Sequence, residues 1–236
     1  MIRTVLPLAA ALSLSALPAI AADQPSPRIQ VSGEGEAALK PDLAVLTLSV
    51  MREADSAREA MSAANQAMEA VIAAMKEAGI AARDLQTAGL QINPRYEAKK
   101  HDDGSQTSEI AAYQVANTLT VRVRDIAAVG AVLDQAVTLG VNQGGGILFG
   151  NEDPSSALTQ ARTAAVKDAI AKAGTLAAAA GVELGPIVEI SEQAYNPRPM
   201  PYMARAEMAA GAAPVEAGEN AYRVQVNVTF GIDAQQ

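Results

Sequence analysis

Two glycines on one face of a strand constrain this chain more than any other feature. Within Val31 to Val50, VSGEGEAALKPDLAVLTLSV, and the residues just before it, Ile29, Val31, Gly33 and Gly35 alternate with Gln30, Ser32, Glu34 and Glu36. One face is therefore apolar and then bare, and the other is polar throughout. Bare positions on an inner face predict that a helix or another strand approaches closely there. Pro41 interrupts the pairing, and Asp42 opens a second run in which Ala44, Leu46, Leu48 and Val50 share a face. The pattern predicts two adjacent strands near the middle of one sheet. Gly33, Gly35 and Ala38 also match the outline G-x-G-x-x-A of a dinucleotide-binding turn, but that motif needs a helix to open at once. Here Pro41 and a β-rich run follow, and Glu34 and Glu36 would repel phosphate.

The start of the chain reads as an export signal. Arg3 precedes the apolar run Val5 to Leu17, and Ala19-Ile20-Ala21 supplies the small residues that a signal peptidase accepts. The expected domain division is 1–22 signal peptide and 23–236 mature domain, with 196–219 a mobile loop. The signal is too short for a membrane span, and no later segment is long and apolar enough for a transmembrane helix. Its removal takes away Arg3 and no acidic residue, moving the formal net charge from −8 to −9. That charge, without a basic tract, argues against nucleic acid as a partner. The chain has no cysteine, so an exported fold of this kind must be held by packing and not by disulfides.

The helices are marked by their ends. Ser56 and Glu59 form a capping box for a helix over 56–78, closed by Gly79. Its expected apolar stripe is Ala57, Met61, Ala64, Met68, Ile72 and Met75, with the methionines filling gaps against a sheet. Asp125 begins a second helix through Leu139, stopped by Gly140. Asp153 and Pro154 begin the third and longest, ending at Gly181. The stripe of this third helix, Leu158, Ala161, Ala165, Ala169, Ala173, Leu176 and Ala180, is mostly alanine, so it can lie very close to its partner, over the glycines of the first strand. Further strands are expected at 85–96, 113–124, 145–149, 187–194 and 221–232. The fourth and last alternate most strictly, with Asn117 breaking the inner face of the fourth. A buried amide must be hydrogen-bonded, so Asn117 reads as a structural tie before a catalytic group.

Candidate chemistry is sparse. His101, the single histidine, sits beside Asp102 and Asp103 in the polar loop 97–109, without the ligand spacing of a zinc site. The run GVNQGGGILFG lacks the lysine and hydroxyl of a phosphate-binding loop and reads as a bulged or closely approached strand. The segment from Ala194 to Glu219 contains four prolines and three methionines. Met200, Met203 and Met208 in it are the weak candidates for soft-metal binding, copper above all, or for oxidant scavenging. Glu34 and Glu36 point the same way from one strand and are the nearest approach to a carboxylate pair for hydrolysis.

In their order and spacing these pieces resemble the SIMPL-domain family, exported bacterial proteins that include those called oxidative stress defence proteins and immunogenic periplasmic proteins. The likeness spans nearly the whole mature chain. It rests on Val31-Ser32-Gly33-Glu34-Gly35-Glu36 followed by Pro41-Asp42-Leu43-Ala44, on Thr87, Pro94 and Tyr96, and on Tyr113 with Ala116-Asn117. Gly140-Val141-Asn142 is similar to the family's Gly-Ala-Asn with Val substituted, and the alanine-rich third helix ending in 176–181 fits as well. The resemblance implies a periplasmic α+β domain that tends to homo-oligomerise, with a loose association with envelope or oxidative stress. It brings no catalytic residues.

The expected fold is α+β: an antiparallel or mixed sheet of about seven strands with three helices packed on one face, whose strand-pair-plus-helix halves suggest internal duplication. Gly33, Gly35, Pro41, Asp42, Asn117, Asn142 and Gly181 are the expected structural positions, and no catalytic residue or cofactor is expected. The leading functional expectation is a non-enzymatic homo-oligomeric module of the periplasm, peripherally associated with the outer membrane. Methionine-based protection and a carboxylate hydrolase are the alternatives.

Overall fold

The strands divide between two sheets. The computed structural model describes residues 26–192 and 215–233, with the backbone of 200–202 between them. In chain order the elements are β1 (Arg28–Leu39), β2 (Leu43–Ala54), α1 (Ala57–Glu77), β3 (Leu85–Lys100), β4 (Gln106–Val123), α2 (Val129–Thr138), β5 (Gln143–Gly150), α3 (Ser155–Ala180), β6 (Glu183–Glu192), β7 (Met200–Tyr202) and β8 (Glu219–Asp233). One sheet has the order β1-β8-β6, with β7 also paired to β8, and the other has the order β3-β4-β2-β5. Every pairing is antiparallel. The class is thus α+β, with eight strands among the described residues.

The first two strands are not neighbours. β1 is an edge of the first sheet, paired along its whole length with β8, whereas β2 lies inside the second between β4 and β5. Alternation fixes which face of a strand is buried but not which strand it pairs with. Pro41, lacking an N–H, therefore marks the passage from one sheet to the other. The helices divide as well. α1 covers β2 and β4, with α2 against α1, while α3 lies along β1 and β8. Each sheet has its own apolar core: Leu46, Val50, Met68, Val71, Met75, Leu119 and Val121 are among the buried residues of one, and Val31, Ala161, Ala165, Ala169, Val226, Val228 and Phe230 of the other.

α1 begins as its capping box predicts, with the Ser56 hydroxyl accepting from the Glu59 N–H at 3.2 Å. It ends in paired turns, Gly79 N–H to Lys76 carbonyl and Ile80 N–H to Met75 carbonyl, with Gly79 at φ +87°. Its buried face is Ala60, Ala64, Met68, Val71, Ala74 and Met75. The expected stripe is therefore rotated: Met61 and Ile72 flank the core instead of centring it. Alanine gives so little hydrophobic contrast that Ala60 and Ala74 do not stand out in the sequence. Burying Met68 and Met75 contributes about 1.5–3 kcal/mol each.

α3 buries Ala157, Ala161, Ala165, Ala169, Ala173 and Ala177. These lie on one i, i+4 row, the ridge along which a helix of small side chains packs. Leu176, expected on this stripe, is 51% exposed. The row sits on the bare part of β1. A Cβ at Gly33 would press into the Ala165 carbonyl and lie 2.7 Å from the Ala169 Cβ, and one at Gly35 would press into the Ala161 carbonyl and lie 2.9 Å from the Ala164 Cβ. The close approach predicted from the two glycines is made by this helix. Gly181 then ends α3 in the left-handed region at φ +69°.

The polar stretch 97–109 is largely strand, not loop. β3 and β4 continue as a two-stranded arm through the pairs Glu97↔Glu109, Ala98↔Ser108, Lys99↔Thr107 and Lys100↔Gln106. Both faces of the arm are wet, so no apolar alternation announces it. Strand β6 begins four residues before its expected start, and β5 carries the expected irregularity, a register shift opposite Leu46 and Leu48 with Gly144 at φ +154°.

Candidate interaction surfaces

Sheet edges and their side chains are the most distinctive surfaces of this molecule. At the β1 edge, the outward Glu34 N–H donates to the Asp168 carboxylate at 2.8 Å, and the Lys172 ammonium donates to the Ser32 carbonyl at 3.1 Å. Asp168 and Lys172 are themselves paired at 2.7 Å, one helical turn apart on α3. The Lys172 ammonium, and then the Glu34 N–H, hold the Asp168 carboxyl below its ordinary range. The helix that presses on Gly33 and Gly35 therefore also caps this edge.

The opposite edge, β6, is treated differently. Ile187, Val188 and Ile190 are 43%, 68% and 51% exposed. Ile187 stands level with Phe230 and Ile190 with Val228, core-facing residues of β8, and the ladder is irregular on either side of Ile187. α3 adds Ile170 and Leu176 as exposed apolar residues. The only described ion pair between helix and strand here is Arg162 to Glu192 at 2.9 Å.

Two further edges belong to the second sheet. On β3, Leu90 and Ile92 are half exposed opposite Asn117 and Val115, and Tyr96 and Ile110 face each other on the exposed arm. Beside β5 a cleft of about 500 Å³ is walled by Leu46, Leu133, Val137, Val141 and Ile147, with Asn142 and Gln143 at its polar end.

The positions singled out in the sequence are dispersed. Asp42 accepts from the Glu152 N–H at 2.8 Å, and its own N–H donates to the Gly150 carbonyl at 3.1 Å. Asn142 substitutes for a strand partner, its side chain accepting from Met51 N–H at 2.8 Å and donating to Met51 carbonyl at 3.0 Å. Asn117 donates to Asn65 at 3.4 Å, while its buried side-chain carbonyl oxygen has no protein partner. Met200 lies in β7 opposite Ala221; Met203 and Met208 lie outside the described residues. Glu36 is committed to Arg223 at 2.6 Å, and His101 Nε2 lies 2.8 Å from the Thr107 hydroxyl. Among the described residues no group of three His, Asp or Glu side chains could hold a metal ion, and no helix is long and apolar enough to cross a membrane.

Three positions were not singled out in the sequence. Asp84, almost fully buried, is ion-paired with Arg124, which also reaches Glu152 at 2.9 Å; Arg124 holds the Glu152 carboxyl below its ordinary range. Asn151 gathers the chain between the two sheets. Its side chain donates to the Lys40 carbonyl at 2.6 Å and accepts from Asn220 at 3.0 Å and from the Tyr222 hydroxyl at 2.9 Å. Burial, and then Asp42, raise the Tyr222 pKa.

A family model described as SIMPL, protein of unknown function (DUF541), matches residues 29–230, from the second residue of β1 to the core-facing Phe230 of β8. The chain belongs to the SIMPL family. This SIMPL protein is 52% identical over 212 residues to the 26 kDa periplasmic immunogenic protein of Brucella melitensis, covering 87% of this chain and 84% of the relative. It is 30% identical over 236 residues to the uncharacterized protein YggE of Escherichia coli K12, covering 97% of this chain and 93% of the relative. To YggE of Edwardsiella ictaluri it is 31% identical over 201 residues, covering 84% and 82%.

Proposed function

We propose that this SIMPL protein is a non-enzymatic module of the periplasm that works as a homo-oligomer, assembling through the β6 edge, which no described element covers. The observation that carries the reading is the run Ile187, Val188 and Ile190, three exposed apolar side chains on an edge strand. Proteins that remain monomeric blunt such edges with charge, proline or a covering element, because an open ladder templates pairing with another chain. Pro186 blunts the start of this one and Glu189 and Glu192 add charge, yet Ile187, Val188 and Ile190 remain exposed. Export is supported by the Arg3 and Val5 to Leu17 pattern and by the word periplasmic in the name of the Brucella relative. A role in envelope or oxidative stress follows from the family resemblance, with assembly as the physical activity behind it.

The experiment is the absolute mass of the mature chain by light scattering across a dilution series, beside a variant carrying Val188→Lys and Ile190→Lys. A discrete multimer that the double change dissociates is the expected result. A native chain that is monomeric at every concentration overturns the reading, and a multimer untouched by the double change overturns its placement at β6.

A further inference from the structure

The chain passes between the two sheets at only two places among the described residues. β1 enters the second sheet through Lys40, Pro41 and Asp42, and β5 leaves it through 151–154 into α3. Everything from Leu43 to Gly150 is thus a continuous insert that builds one sheet with α1 and α2. The first sheet is assembled from β1 and the remainder of the chain. The two apolar cores share no described residue. Two separately packed bodies joined by two adjacent strands of chain have the anatomy of a hinge.

What joins the bodies is largely polar, exposed at Lys40, Asp42 and Glu152 and buried where β8 meets it at Asn220 and Tyr222. The two crossings are tied to each other by Asn151 to the Lys40 carbonyl at 2.6 Å, by the Glu152 N–H to Asp42 at 2.8 Å, and by the Asp42 N–H to the Gly150 carbonyl at 3.1 Å. The start of β8 closes over them. Asn220 and Tyr222, 3% and 2% exposed, both donate to the Asn151 side-chain oxygen. Val215, just ahead of β8, adds an apolar contact to the core of the insert. A part-buried polar network whose buried members, Asn220 and Tyr222, are both satisfied by Asn151 favours one arrangement. Losing one member leaves its partners unpaired and removes the preference for that arrangement.

We propose that the Asn151 junction is a latch. It fixes the inserted lobe, residues 43–150, against the rest of the molecule, and its release lets the two lobes reorient as rigid bodies about 40–42 and 151–154. The buried residues of each core stay together in that motion, and only the contact of Val215 with the core of the insert is parted. The inference concerns a single chain and does not depend on how chains assemble.

The test uses the full mature chain, which has no cysteine of its own. Spin labels are placed between the lobes at Glu69→Cys on α1 and Thr163→Cys on α3, and within the first lobe at Gln30→Cys and Thr163→Cys, all exposed positions. Labelled chain is diluted into unlabelled chain, and distance distributions are read by pulsed electron paramagnetic resonance. The native protein should give one narrow distribution for each pair. Asn151→Ala should broaden the between-lobe distribution roughly twofold or split it, and leave the within-lobe pair unchanged. Tyr222→Phe, which deletes one donor, should broaden it less, and it decides the matter alone if Asn151→Ala does not fold. A between-lobe distribution that stays narrow in the variants overturns the latch, as does equal broadening of the within-lobe pair.

Discussion

The two edges of the first sheet show how one fold can close a strand in one place and leave it open in another. At β1, α3 lies so near the backbone that two inner positions must be glycine, and Asp168 and Lys172 occupy an outward amide and carbonyl. At β6, the same helix leaves Ile187, Val188 and Ile190 in the open. Both edges belong to one antiparallel sheet, but α3 lies along β1 and β8 and barely reaches β6, so the difference lies in where the helix sits as well as in the side chains. An edge that is closed so thoroughly on one side shows that this sequence has the means of edge protection. Among the described residues β6 has less of it, which is why the proposed assembly is placed there.

The largest effect expected from breaking this contrast comes from Gly33→Val. The added side chain would meet the Ala165 carbonyl, part of a helix backbone that cannot yield. It should cost about 3 kcal/mol or more, a fall of roughly 6–12 °C in Tm for a chain of this length by circular dichroism. Next comes the open edge itself. Val188→Lys with Ile190→Lys should abolish assembly by light scattering, yet change the stability of the monomer by less than about 0.5 kcal/mol, because both side chains are exposed. Replacing left-handed Gly181 by Ala, remote from both edges, should cost about 1 kcal/mol and leave the mass unaltered.

The finest effect concerns the cap on β1. Asp168→Asn should speed deuterium exchange at the Glu34 amide without changing exchange along β6. The Asp168 carboxyl is depressed by Lys172 and by the Glu34 N–H. Its folded-state contribution is therefore complete above the ordinary aspartate range near pH 4 and is lost as the pH falls through the lower folded value. Protection of the Glu34 amide should persist below pH 4 and fade only under more acid conditions. In Asp168→Asn that acid dependence should be missing.

Much of the closed edge was legible in the sequence. Gly33 and Gly35 called for a near neighbour, the alanine row of α3 could supply one, and the caps at Ser56 and Gly181 fixed where helices begin and end. Those features are local, and local chemistry decides them. What was not legible is non-local. Nothing in β1 or β2 states that they belong to different sheets, because alternation specifies a face and not a partner. The arm beyond Tyr96 was hidden because its two wet faces carry no apolar period. The extent of β6 was misplaced by four residues because its ten residues are mostly exposed and show no burial alternation. Asn151 was overlooked because its hydrogen-bond partners Lys40, Asn220 and Tyr222 are far from it in the chain.

Deuterium exchange along β6 and β1, followed as protein concentration is raised, tests the assembly through the open edge most directly. The amides of β6 that face away from β8 should gain protection with concentration while those of β1 stay constant. Exchange along β6 that is equally fast at every concentration would contradict the account.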